Sequence, residues 1–233
     1  MPMIYVVTGT SQGIGLEYVK QLSARDDIVI ACARNPEKSE ELQALAVNKN
    51  VHVATLDIVN LDSVKTAVDK IQTLAPEGID VLINNAGSPG GFGAHVTTTT
   101  PDHYRDAFET NVIGTSNITL ALLPLLRKRN TRYIINIASI MASIENTTTG
   151  TATSYRVSKT GLNMLTRMMA CEFGEESFTV LALHPGWVRT KMGTKHAPVS
   201  PEDSISGMLS VIDNLSKEKN GKYISYEGNE IPW

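Results

Sequence analysis

The chain has 233 residues, 42% of them hydrophobic and 19% charged, enough to bury one substantial core with little room for two, so a single domain over 1–233 is expected. A net charge of −3 offers no broad basic face for nucleic acid or an anionic membrane, and the longest apolar run, Leu120 to Leu126 interrupted by Pro124, falls far short of the roughly 18 residues that read as a membrane span. Cys32 and Cys171 make neither a disulfide framework nor a metal site, and Met1-Pro2-Met3 carries no basic leader, so a cytoplasmic protein with a small-molecule partner is expected.

In chain order, Ile4 to Val7 reads as a strand and ends in a glycine-rich turn, with helical periodicity over Ile14 to Ala24. Strand-like runs follow at Ile28 to Cys32, Val51 to Leu56, Ile79 to Ile83, Tyr133 to Ile137, Thr179 to Leu183 and Tyr223 to Ser225. Helical patterns lie between them at Asp62 to Leu74, Tyr104 to Leu126 and Tyr155 to Phe173. This alternation predicts right-handed crossovers and an α/β fold, a doubly wound Rossmann domain whose seven-stranded parallel sheet is flanked by helices. Ligands of such a sheet sit beyond the carboxyl ends of its strands. The threonine-dense stretches Thr97 to Thr100 and Thr147 to Thr153 read as loops there, either solvated or touching substrate.

The turn after the first strand is Thr8-Gly9-Thr10-Ser11-Gln12-Gly13-Ile14-Gly15. Its glycines allow a pyrophosphate to approach the backbone, and the following helix supplies free N–H groups and positive dipole potential. The spacing differs from the general Gly-x-Gly-x-x-Gly dinucleotide fingerprint. Gly9-Thr10-Ser11-Gln12-Gly13 also fits the nucleophile elbow of serine hydrolases, with Ser11, a later Asp and His184 or His196 as a triad. An elbow needs several strands before it, and only one precedes Ser11.

Arg34 follows the second strand, where such folds choose between a ribose hydroxyl and a ribose phosphate; an Arg favours the phosphate of NADP, and no acid precedes Glu37. Asp57 could meet the adenine amino group or cap the next helix, a task for which Asn60 is at least as well placed. Asn84-Asn85-Ala86-Gly87 closes the fourth strand with small residues that let the chain pass close to a cofactor.

Tyr155 and Lys159 stand one helical turn apart and share a face. A tyrosine with pKa near 10 is a poor acid, but a neighbouring ammonium stabilises its phenolate and eases proton donation. Taken with the glycine turn, Asn84 to Gly87, Asn111, Ser139, Tyr155-Arg156-Val157-Ser158-Lys159 and Pro185-Gly186, all in family order, the sequence resembles the short-chain dehydrogenase/reductase family. Within it, His184-Pro185-Gly186-Trp187-Val188-Arg189-Thr190 and the C-terminal part look most like the sniffer-type carbonyl reductases and the C-factor-like proteins.

The resemblance implies that Ser139 binds a substrate carbonyl oxygen, Tyr155 protonates it, Lys159 holds the nicotinamide ribose and lowers the Tyr155 pKa, and Asn111 holds a water that returns the proton. It implies NADP(H) bound by Gly9, Ser11, Gln12, Gly13, Ile14, Gly15, Arg34, Asp57, Ile58, Asn85, Ala86, Gly87, Tyr155, Lys159, Pro185, Gly186, Val188 and Thr190. Ser139 and Tyr155 are 16 positions apart, a few more than the family's usual spacing. Asn146 to Thr151 therefore read as a loop insertion, and Ser143 competes with Ser139 for the serine role. Phe92, Met141, Trp187 and Met192 are expected to wall an apolar pocket for a ketone, diketone or quinone. The resemblance also points to a homo-oligomer, dimer or tetramer, paired through the helices at 104–126 and 155–173. A cofactor-binding sensor or scaffold without turnover is the other reading of the same fold.

Overall fold

Side chains alternate across a strand, and here both faces of every central strand are apolar, as a sheet buried on both sides requires. The computed structural model describes residues 2–233. Its strands are β1 (Ile4–Thr8), β2 (Ile28–Ala33), β3 (Val51–Thr55), β4 (Val81–Asn84), β5 (Tyr133–Ile137), β6 (Thr179–His184) and β7 (Tyr223–Ser225). They form one parallel sheet in the order β3-β2-β1-β4-β5-β6-β7. The order reverses between β1 and β4, which opens a crevice at their carboxyl ends.

The helices are α1 (Gly13–Ala24), α2 (Glu40–Leu45), α3 (Leu61–Leu74), α4 (Pro101–Phe108), α5 (Thr115–Arg127), α6 (Thr153–Phe173) and α7 (Pro201–Asp213). On one face Val64 and Ile71 of α3, Ile118 and Leu122 of α5 and Met169 and Phe173 of α6 pack on Val6, Ile30, Leu82, Ile134 and Val180. On the other, Tyr18 and Leu22 of α1 and Ile205, Met208 and Leu209 of α7 pack on Val7, Ala31, Ile83, Ile135 and Leu181. Neighbouring strand residues thus serve opposite layers.

The helical stretch expected over Tyr104 to Leu126 forms without a gap but is not one regular α-helix. It starts at Pro101, capped by Thr100, and passes through a π-helical turn over Glu109–Gly114 before α5. Such turns often mark functional sites, and this one carries Asn111. The fourth strand begins at Val81 rather than Ile79, because Asp80 turns its carboxylate to the Ile4 amide, Arg129 and Thr131. No helix among the described residues is long and apolar enough to cross a membrane, and no cluster of His, Cys, Asp or Glu among them could hold a metal ion.

Candidate active site

The glycine turn is pinned to the end of β4 by side chains. The buried Thr8 hydroxyl accepts from the Asn85 and Ala86 amides at 3.0 Å each, and the Asn85 amide group donates to the carbonyl oxygens of Thr8 at 2.8 Å and Gly9 at 3.1 Å. A Cβ on Gly15 would overlap the Gly9 carbonyl oxygen and crowd Asn85, so only glycine fits. Gly15→Ala is therefore expected to lower the unfolding free energy by about 1–3 kcal/mol, read from a denaturant melt. Gly9 has φ +71° and Gly13 φ +60°, backbone that side chains disfavour.

The residues fit a dinucleotide. Helices α2, α3, α4 and α7 are capped by the side chains of Ser39, Asn60, Thr100 and Ser200, whereas α1, like α5 and α6, has no side-chain cap and no acid in its first turn, and of these three α1 is the one that starts from the glycine turn at the β1–β4 crevice. Its leading N–H groups are left for an external anion. Ser11 and Gln12 stand exposed on the approach to this end, with Ile14 partly buried. Arg34 is exposed one residue past β2 and enters no ion pair among the described residues. Asn60, not Asp57, caps α3, leaving the Asp57 carboxylate with only a turn contact from the Val59 amide. Ile58 is buried, its carbonyl held by Asn117.

Tyr155 and Lys159 lie in the first turns of α6, only 8% and 5% exposed. Lys159 Nζ donates to the Ile137 carbonyl oxygen at the end of β5 at 2.8 Å and lies 5.9 Å from the centre of the Tyr155 ring. Burial pushes the Lys159 pKa down to about 8. It also pushes the Tyr155 phenol up, against which the nearby Ser139 hydroxyl acts. Ser139 Oγ accepts from the Met141 amide at 3.2 Å, so its proton is free to be donated outward.

Asn111 is wholly buried and its side chain makes three hydrogen bonds. Its Oδ1 accepts from the Ser88 amide, and its Nδ2 donates to the Ser88 carbonyl and to Ser158 Oγ, all at 2.9 Å. Ser158 in turn donates to the Tyr155 carbonyl oxygen. A Cβ on Gly87 would lie 3.1 Å from Asn111 Oδ1 and 3.6 Å from Lys159 Nζ, so β4, the π turn and α6 converge on that glycine.

The 16-position spacing is taken up by a folded loop. Ser143 is buried inside it, accepting from the Asn146 amide while its carbonyl takes the Thr147 hydroxyl, which commits it to a local turn. Arg156 ties the loop to α6 through Thr151, Thr149 and the Met141 carbonyl, and Thr151 bridges to His95. Of the expected pocket walls, Phe92 is brought edge-on to Tyr155 at 5.7 Å and Met141 stands two residues after Ser139 in the turn that Ser139 caps. Trp187 and Met192 are exposed on the loop after β6, which carries Pro185, Gly186 at φ +84°, the buried Val188, and Thr190, whose methyl faces Gly13.

The hydrolase arrangement does not form. His184 ends β6, three strands from β1 and thus roughly 14 Å across the sheet from the strand that leads to Ser11. Its Nδ1 accepts from the Ile140 amide, and burial holds its pKa down at about 4. His196 is exposed on the loop beyond. Sequence reasoning missed Ser88, Ser158 and His184 as supports of the site. Ser158 was detectable from its helical spacing to Tyr155, but the others act through contacts made only in the fold.

A family model described as short chain dehydrogenase matches residues 3–199. The C-signal of Myxococcus xanthus is 42% identical over 155 residues, covering 66% of this chain and 93% of that protein. The carbonyl reductase Sniffer of Drosophila melanogaster superposes with a TM-score of 0.95 at 32% identity, over 100% of both chains. An NADPH-bound carbonyl reductase from chicken fatty liver does so with a TM-score of 0.93, also at 32% identity and full coverage of both chains.

Proposed function

The chain belongs to the short-chain dehydrogenase family, and on that premise we propose that it uses NADPH to reduce the carbonyl group of an apolar or aromatic ketone, diketone or quinone to an alcohol. The observation that carries this reading is the burial of Tyr155 beside Lys159, whose ammonium is anchored on the last carbonyl of β5, two residues before Ser139. NADPH, when bound, supplies the hydride. Ser139 donates a hydrogen bond to the substrate oxygen and orients it. Tyr155 transfers its proton to that oxygen as negative charge develops there. Lys159 has N–H groups beyond the one spent on Ile137 with which to hold a ribose, and its positive charge on the same helix face favours the phenolate that proton transfer leaves. Asn111, whose side chain is bonded to Ser88 and Ser158, holds the π turn in place beside Tyr155.

The uncapped α1 and Arg34 support NADP(H) as the cofactor, with Asn85, Ala86 and Gly87 passing beside it and Pro185, Gly186, Val188 and Thr190 covering its far end. Arg34→Ala is expected to raise the KM for NADPH about tenfold to a hundredfold and to leave that for NADH nearly unchanged, because only the former loses a charge-assisted phosphate contact. Phe92, Met141, Trp187 and Met192 carry no charge, which supports an apolar substrate. Following NADPH consumption with diketones, quinones and keto acids tests this: turnover of the acids alone removes the apolar pocket, and no turnover with any carbonyl removes the reductase. Leu120 on α5 and Val157, Met164 and Met168 on α6 are exposed apolar residues on the two helices expected to pair, which supports a homodimer that light scattering would detect.

A further inference from the structure

The site serine is held from behind by residues outside the segment that matches the family model. Tyr223 opens β7, is 1% exposed, and its hydroxyl donates to the Ser139 carbonyl oxygen, which also accepts from the Ala142 amide. Burial pushes the Tyr223 phenol far up, so it stays a neutral donor at any working pH. Beyond β7 the chain turns back at Gly228, pairs Glu230 with Ile224 in antiparallel fashion, and lays Ile231 against Ala138, Ala182 and Tyr223. The indole of Trp233 then stacks on the Tyr223 ring, with centres 5.3 Å apart and planes 29° from parallel. The Trp233 carbonyl oxygen accepts from the Glu145 amide, inside the loop between Ser139 and Tyr155.

We propose that Tyr223 and Trp233 are positioning residues: Tyr223 fixes the Ser139 backbone from behind, and Trp233 clamps both Tyr223 and the 143–147 turn, so the strap after β7 sets how a substrate carbonyl meets the serine. The contacts favour this over a purely packing role, because the strap touches the site at the Ser139 carbonyl and at the loop that follows. A carbonyl held by two donors has little freedom to rotate, and the direction of the Ser139 hydroxyl follows from it. The serine role itself rests on the reductase reading above.

The test separates the two layers. Tyr223→Phe keeps the stacked ring and removes only the hydroxyl. It is expected to lower kcat about tenfold, the worth of one hydrogen bond, with KM for NADPH and the melting temperature little changed. If Tyr223 acts through Ser139, the loss disappears in a Ser139→Ala background. An equal loss in both backgrounds, or no loss in wild type, overturns the proposal. Trp233→Leu is expected to raise the carbonyl KM several-fold and to speed amide hydrogen exchange over residues 139–147 in cofactor-free protein, while exchange in α1 and α3 stays as it was. Unchanged exchange at 139–147 overturns the clamp whether or not the enzyme reduces carbonyls; a wild-type protein inert toward every carbonyl, with exchange responding as expected, would remove the reductase reading and leave the strap.

Discussion

Tyr155→Phe is expected to cut kcat/KM for carbonyl reduction by about a thousandfold or more while NADPH still binds, because the substitution deletes one oxygen and little else. The ring remains in a site that is nine-tenths buried and keeps its edge-on contact with Phe92. What goes is the proposed proton donor, and general acid catalysis contributes about a hundredfold to ten-thousandfold. Ser139 remains to bind the substrate oxygen, so some reduction above background is expected to survive. Steady-state rates and a fluorescence titration with NADPH, run on both proteins, measure the two halves. Equal rates in wild type and variant would make the protein a binder rather than a reductase, and loss of NADPH binding would mean that Tyr155 holds cofactor more than it moves a proton.

The core of the fold was legible because its strands are short runs of Ile, Val and Leu whose neighbours alternate between two apolar layers, and the glycine turn was legible because its steric demand excludes any side chain at Gly15. Helix α7 carried a readable signal in Ser200-Pro201-Glu202-Asp203 followed by Ile205, Met208, Leu209 and Ile212, yet it is absent from the sequence-based elements. The π turn was not legible: a pattern of apolar positions over Tyr104 to Leu126 cannot reveal a widened turn that is held by Asn111 reaching to Ser88 and Ser158. The same limit applied to the site. Spacing placed Tyr155 beside Lys159, and the end of a strand run placed Ser139 there. The end of that strand run also favoured Ser139 over Ser143, and the turn that occupies Ser143 is consistent with that preference. Tyr223 and Trp233 gave no local signal, since each reaches the site across a long sequence separation.

Lys159→Met is expected to abolish turnover and at the same time to stabilise the protein. An ammonium that is 5% exposed and has one protein hydrogen bond is held in the charged state at a cost, which appears as the fall of its pKa from 10.5 to about 8. At about 1.4 kcal/mol per unit, that fall costs the folded state about 3 kcal/mol at neutral pH. The sign follows from the protons bound: between pH 8 and 10.5 the unfolded chain keeps the Lys159 proton and the folded chain has lost it. This lysine's contribution to stability therefore rises with pH through that window, and the penalty is fully present below pH 8. Methionine fills a similar volume without the charge but leaves the Ile137 carbonyl without its donor, a loss of about 1 kcal/mol. The net gain is roughly 2 kcal/mol, or a rise in melting temperature of about 5 °C at pH 7, shrinking toward zero or below by pH 10.5. Calorimetry of both proteins at pH 7 and pH 10.5 measures the difference. A variant less stable than wild type at pH 7 would mean that the ammonium is well solvated within the site, and the tyrosine beside it would then lack the low-dielectric charge that makes its proton easy to give.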